Sequence, residues 1–131
     1  MRTKEDIESY LLRSGLSARE VAPSLWVVDE PGAGEHIVVT LADPVVVFRV
    51  KVMALAEVKA KDKLFETLLA LNATDMVHGA YGIAEGAVVL TCTLRLEHLD
   101  YSEFQGTLDD FSLALAKHYD LLAVHRTKRS S

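Results

Sequence analysis

The chain lacks several features that would define a function. It carries one cysteine, Cys92, which excludes an intramolecular disulfide and a metal site built from clustered cysteines. No apolar run approaches the roughly 20 residues that are needed to cross a bilayer, and runs such as Val45 to Phe48 have only the length of a strand. The polar start, Met1 to Asp6, is unlike a signal peptide. We therefore expect a cytoplasmic protein with no membrane partner.

Basic residues are not in excess either. The formal net charge is −5, from 14 Lys and Arg against 19 Asp and Glu, whereas a protein that binds nucleic acid is expected to be basic. The sequence therefore predicts no nucleic-acid partner. The single basic run, Arg126 to Arg129, lies in the terminal segment 126–131, which we expect to be a flexible, solvated tail.

No catalytic or metal-binding constellation is recognisable. The 5 histidines are scattered, and no two have the spacing of metal ligands on a helix. In the polar cluster Glu97–Asp100, the acid Asp100 is best interpreted as a helix cap, and the alternative is a metal or acid–base role for His98. Gly32–Gly34 lacks the third glycine of a dinucleotide-binding loop and indicates a turn. We expect no cofactor, no metal and no enzyme activity.

Apolar residues, in contrast, are abundant and regularly spaced. Half of the 131 residues are hydrophobic, which is enough for one domain over 1–131 to bury a core. The spacing predicts helices over Thr3–Gly15, Lys61–Asn72 and Tyr101 to about Val124. It predicts strands over Ser24–Asp29, His36–Leu41, Val45–Leu55, Met76–Ile83 and Ala87–Leu96. Turns are expected at Ser17–Val21, Pro31–Gly34, Asp43–Pro44 and Ala84–Gly86.

The closing helix has a complete start signal. The Asp100 carboxylate is placed to accept hydrogen bonds from the first-turn N–H groups, and the Glu103 side chain can reach back to the Asp100 N–H. Leu99 can pack on Phe104. The helix then carries one apolar stripe at helical spacing. Its members are Phe104, Leu108, Phe111, Leu115, Tyr119 and Leu122.

Alternation along the predicted strands separates two faces of a sheet. Over Val45–Leu55, one face is wholly apolar and is made of Val46, Phe48, Val50 and Val52. The opposite face carries Val45, Val47, Arg49 and Lys51. Antiparallel sheets often leave one face in water, but this mixed face is more apolar than solvation requires. It is therefore a candidate binding surface.

The second half of the chain resembles a known family. The features that carry the resemblance are Leu68–Asn72, the hairpin with Val88–Leu90 and Leu94, the start Leu99–Asp100 with Glu103–Phe104, and the helix through Phe111, Leu115, Ala116 and Tyr119–Asp120. These resemble the YbjN-type branch of the type III secretion chaperone-like fold. The resemblance implies an α+β fold in the order α-β-β-β-α-β-β-α, with an antiparallel sheet packed by helices on one face. It also implies a cytoplasmic homodimer that binds another protein, and it brings no catalytic residues.

The leading hypothesis is a non-enzymatic protein-binding module, chaperone-like or a regulatory adaptor, whose partner is a protein or an effector segment. Its candidate binding residues are Trp26, Val45, Val47, Arg49, Lys51, Leu113 and Leu121. For Trp26 the alternative is packing at a sheet edge. For Leu113 and Leu121 the alternatives are a dimer interface and cover for the sheet's flank. The rival hypothesis is a small-molecule sensor or enzyme domain with a pocket between sheet and helices, based on His78, Tyr81 and His98.

Overall fold

A computed structural model describes residues 1–29 and 36–126 of the chain. The helices are α1 (Lys4–Ser14), α2 (Lys61–Thr74) and α3 (Tyr101–Ala123). The strands are β1 (Ser17–Ala22), β2 (Leu25–Asp29), β3 (Ile37–Ala42), β4 (Val45–Ala54), β5 (Ala80–Ala84) and β6 (Ala87–Arg95). A short 3-10 helix, Leu55–Glu57, follows β4.

All the described strands form one antiparallel sheet of six, in the order β1-β2-β3-β4-β6-β5. The inner face of this sheet carries fully buried side chains from its central strands, such as Val39, Phe48 and Leu90. The buried side chains of the three helices join the same core cluster. The predicted α+β class, with an antiparallel sheet and helices on one face, is confirmed.

The sheet has one strand more than predicted. Ser17–Val21 was expected to be a turn, and that expectation is wrong, because Ser17–Ala22 pairs with β2 as the edge strand β1. Only Ala18 of this strand is even half-buried. An edge strand is held by backbone hydrogen bonds along one side, so it needs no apolar alternation in its sequence. Lys4 Nζ of α1 lies 2.9 Å from Glu20 Oε2 of β1 and joins helix to strand.

Strand β5 is shorter than predicted. Met76–Ile83 was expected to be extended throughout, but the strand begins only at Ala80. Gly79 has a φ of +83°, and a Cβ there would lie 2.6 Å from the Thr91 carbonyl oxygen. Only glycine combines that backbone conformation with that close approach. The segment before the strand is therefore a tight connection.

Two predicted segments lie wholly or mostly outside the residues that the structure describes. The predicted turn Pro31–Gly34 lies outside the described residues. The predicted tail 126–131 also lies outside them, except for Arg126. That residue forms a β-bridge with Val58 and donates from its guanidinium to the Val52 carbonyl at 2.9 Å.

The start of α3 confirms the predicted cap, since the Asp100 carboxylate accepts from the Glu103 N–H at 2.8 Å. Leu99 and Phe104 beside it are both buried. Two rings of α3 then pack on Phe48 of β4, with centroids 5.1 Å away for Phe104 and 6.4 Å away for Phe111. All three rings are fully buried. This aromatic cluster fixes α3 on the sheet.

The lower part of the α3 stripe differs from the prediction at Tyr119, whose side chain is 65% exposed. His118 takes the inward position and is 1% exposed. At about 100° per residue, His118 lies about 20° from Phe111 around the helix axis, whereas Tyr119 lies about 80° away. The helical geometry therefore turns a histidine inward where the sequence pattern favoured an aromatic residue.

A buried polar network accommodates His118. Its Nδ1 lies 2.8 Å from the Tyr81 hydroxyl of β5, and its Nε2 lies 3.1 Å from Asp75 Oδ2 at the end of α2. Because a carboxylate only accepts, Nε2 carries a proton, and in the neutral ring Nδ1 accepts from the tyrosine. The network therefore links α2, β5 and α3 through satisfied hydrogen bonds.

Two pKa values follow from this network. Burial raises the pKa of Tyr81 to about 12, with a smaller contribution from the Asp75 charge. The hydrogen bond from His118 lowers the pKa of Asp75, helped by those from Thr74 and Lys117. At neutral pH the network therefore contains a neutral phenol and an ionised carboxylate.

Replacing Phe111 with alanine should cost about 3–5 kcal/mol of unfolding free energy, because it opens a cavity between α3 and the sheet. Tyr119→Ala on the same helix removes an exposed ring and should cost below about 0.5 kcal/mol. Chemical denaturation of the two variants measures both values. Equal losses would contradict the assignment of the inward face of α3.

The Asp75→Asn variant should make stability less sensitive to acid. Because the folded-state pKa of Asp75 lies below its ordinary value of 3.8, its contribution is fully present above that value. The contribution is lost as pH falls through the folded-state pKa. Thermal unfolding from neutral pH downward should show a shallower acid decline in Asp75→Asn than in the wild type. Asp120→Asn, exposed on α3, should keep the wild-type decline, and an Asp75→Asn decline as steep as the wild type would exclude this contribution.

Candidate protein-binding surface

The outer face of the sheet, the side turned away from the helices, carries four of the predicted binding residues. In β4, Val45 and Val47 are half-buried and Arg49 and Lys51 are exposed, whereas their neighbours Val46, Phe48 and Val50 are buried inward. The predicted alternation therefore places these four side chains as expected. Val52 also packs against the core as predicted, and a register shift between Lys51 and Met53 turns Met53 into the core beside it.

The strand register brings further apolar residues beside these. Val47 lies opposite Thr40 of β3 and Thr93 of β6, and Val38 of β3 lies opposite both Arg49 and Val27. Directly opposed residues have Cβ atoms about 5 Å apart, so their side chains are in contact range. We define the outer apolar patch as Leu25, Val27, Val38, Val45 and Val47, all half-buried.

Exposed cations lie around this patch. Arg19 of β1 lies opposite Val27, Arg95 of β6 lies opposite Val45, and Arg49 and Lys51 continue along β4. No described residue forms an ion pair with any of these four side chains. We call Arg19, Arg49, Lys51 and Arg95 the outer-face cations.

The one acidic side chain in the outward register of the described strands is Asp29. It lies at the end of β2, where its carboxylate pairs with the imidazole of His36. That carboxylate therefore already has a partner. The outer face is basic although the whole chain has a net charge of −5.

Trp26 lies elsewhere. It stands opposite Val39 in the inward register and is 3% exposed. Its indole is therefore part of the core, and the packing alternative is the one that the structure shows. The large inward ring alternates with the outward Leu25 and Val27, which were not singled out in the sequence.

Leu113 and Leu121 lie on α3, across the sheet from the outer face. Their side chains are 69% and 51% exposed, so they do not cover the flank of the sheet. Leu121 also lines an open groove of about 630 Å³ between α2 and the end of α3. In that groove His125 Nε2 lies 3.3 Å from Thr67 Oγ1.

The three residues of the rival hypothesis do not share a pocket. His78 pairs with Asp110 at the surface, Tyr81 is buried in the network with His118, and His98 is 91% exposed beside Glu97. Burial also raises the pKa of the Cys92 thiol, which opposes a nucleophilic role. Across 1–29 and 36–126, no three metal-ligating side chains are grouped to hold a metal ion. In the same ranges, no helix is long and apolar enough to span a membrane.

The sequence prediction missed several members of this surface. Val27 and Val38 alternate outward in strands that were correctly predicted, so period-two patterning could have identified them. Arg19 was missed because its strand was predicted to be a turn. The register across strands, which decides that these residues meet, is a property of the fold alone.

Comparisons with known proteins agree with this architecture. YbjN from E. coli has a TM-score of 0.65 at 16% identity, over 92% of this chain and 93% of that chain. The ExoU–SpcU complex from the type III secretion system of Pseudomonas aeruginosa gives 0.67 at 15%, over 91% and 97%. The HopA1–SchA chaperone–effector complex gives 0.65 at 7%, over 88% and 91%. At these identities the likeness shows the fold.

No curated protein matches the chain. The profile of the CesT_Tir_1 family, however, matches residues 1–128. The resemblance predicted from the sequence is therefore confirmed, together with a chaperone-like, protein-binding class of function. The chain belongs to the CesT_Tir_1 family and has the fold of the type III secretion chaperones.

Proposed function

We propose that this protein is a non-enzymatic, cytoplasmic module that holds a segment of another protein on the outer face of its sheet. The observation that carries the proposal is the outer apolar patch, which the described helices leave uncovered. Such a patch, surrounded by polar side chains, is typical of a protein-interaction site. The half-buried apolar side chains at the centre would supply affinity, and the surrounding charges would supply orientation.

The shape of the patch suits a chain segment better than a small molecule. Three neighbouring strands cover about 10 Å, and Val45 to Lys51 extends about 20 Å along β4. A small ligand needs a concave site that encloses most of its surface, and this face is an open sheet. Two of the similar structures are described as complexes, one of them a chaperone with an effector, which supports a protein partner.

Site-specific crosslinking tests this proposal. Thr93 is exposed and lies opposite Val47, so a benzophenone attached to Thr93→Cys would face a bound partner. The native Cys92 is 8% exposed and should resist labelling. The matched control is Ser102→Cys, exposed near the start of α3 on the helix side.

Illumination in lysate of the source cells should join one identifiable protein to the Thr93→Cys label and not to the Ser102→Cys label. The purified partner should then protect that label site from proteolysis in a reconstituted complex. Crosslinks of equal yield at both positions, or at Ser102→Cys alone, would overturn the outer face as the binding site. No crosslink at Thr93→Cys would have the same consequence.

We also propose that the protein is a homodimer that uses the exposed apolar side of α3. Leu113, Leu121 and Val124 are all at least half exposed and lie within an arc of about 80° around the helix. That arrangement favours an interface rather than scattered surface residues. A two-fold interface would bury this stripe on both copies, and a stable one should exceed about 1,000 Å² in total.

Sedimentation equilibrium at micromolar concentration should give the mass of a dimer. Changing Leu113 and Leu121 together to glutamate should give a monomer, because it places charges in the buried stripe. Leu12→Glu on α1, where the side chain is 85% exposed, is the control and should remain dimeric. A monomer mass for the wild type, or a dimer that survives the double change, would exclude this interface.

A further inference from the structure

We infer that the partner segment is acidic, with glutamate or aspartate side chains placed around a few apolar residues. This inference rests on the proposed function, since it names the chemistry of the segment that would occupy the outer face. Its basis is the set of outer-face cations, Arg19, Arg49, Lys51 and Arg95, which are exposed and have no acidic partner among the described residues.

Several cations elsewhere in the chain, in contrast, make contacts that support the fold. Lys4 pairs with Glu20, and Lys117 pairs with Asp75 at 3.3 Å. Arg13 lies 4.1 Å above the ring of Tyr101, and Arg126 donates to a backbone carbonyl. These side chains hold parts of the fold together. The outer-face cations have no such role within the described structure, so they are free to meet a ligand.

The spacing of the outer-face cations suits a peptide. Arg49 and Lys51 lie about 7 Å apart along β4, which equals the spacing of alternate residues in an extended chain. Arg19 and Arg95 each lie about 14 Å from Arg49, from the strand separation and the rise along β4. The outer apolar patch lies among these charges. A segment with apolar residues at its centre and carboxylates beside them would satisfy both.

The net negative charge of the chain makes the basic outer face more selective for short acidic segments. An acidic chain repels other acidic segments at long range, so such a segment gains attraction only where cations are concentrated. A continuous polyanion such as DNA would meet repulsion beyond the face, and its phosphates would find valines at the centre. Charge and apolar surface together therefore favour an acidic protein segment over a nucleic acid.

Two labelled peptides test this inference by fluorescence anisotropy. Both have about 12 residues, enough to cross the face more than once, and both carry the same valines and threonines. They differ only in whether glutamate or lysine fills the remaining positions. The glutamate peptide should bind roughly tenfold more tightly or better, and raising salt from about 50 mM to about 500 mM should erode that preference.

Charge-reversal variants assign the preference to the outer face. Arg49→Glu and Lys51→Glu should each remove most of the preference without lowering the melting temperature, since both side chains are exposed. Lys61→Glu makes the same charge change on α2 and should leave it intact. Equal binding of the two peptides would overturn the inference, and so would equal effects at Lys61 and Arg49. A labelled oligonucleotide that binds as tightly as the glutamate peptide would also overturn it.

These outcomes are separable from a failure of the proposed function. Specific crosslinking at Thr93→Cys to a segment that is not acidic would leave protein binding on the outer face in place. The acidic chemistry alone would then be excluded. Absence of any specific crosslink there would exclude the binding face itself.

Discussion

The packing of α3 on the inner face of β4 is the interaction on which the rest of the structure depends. Phe48 stands between Phe104 and Phe111, and all three rings are fully buried. Because side chains alternate along a strand, seating Phe48 inward forces Val47 and Arg49 outward. The same contact that builds the core therefore also creates the exposed face, and one residue's shift in register would exchange the two.

The polar network at the end of α3 also holds this helix in place, through hydrogen bonds instead of apolar contacts. His118 occupies an inward position that an apolar side chain could fill, yet it has partners on both ring nitrogens in Tyr81 and Asp75. A buried imidazole without partners would be costly, so the ring is held in one orientation. The edge strand β5 is also secured on its outer side, where the Asn72 amide bonds both the N–H and the carbonyl of Tyr81. One edge of the sheet is thus occupied by the chain itself.

The family membership and the physical features of the outer face both support protein binding. Membership in the CesT_Tir_1 family supports protein binding, while the proposed position of the partner rests on the uncovered valines and on the outer-face cations, which pair with no acidic side chain in the described part of the chain. The burial of Trp26 removes the one tryptophan from the side chains that could contact a partner, because its indole lies in the core. The apolar residues available to a partner are then β-branched and leucine side chains, spread across neighbouring strands.

The sequence by itself determined the elements that rest on local periodicity and capping. These include α1 closed by Gly15, α3 opened by Asp100, and the two faces of β4 as far as Val50. Only the tertiary structure decided features that depend on contacts between distant segments. The edge strand β1 exists through its pairing with β2, and a register shift against β6 brings Met53 into the core beside Val52. The outer face joins Arg19, Val38 and Arg95, because register between strands, which no local pattern encodes, sets which side chains are neighbours.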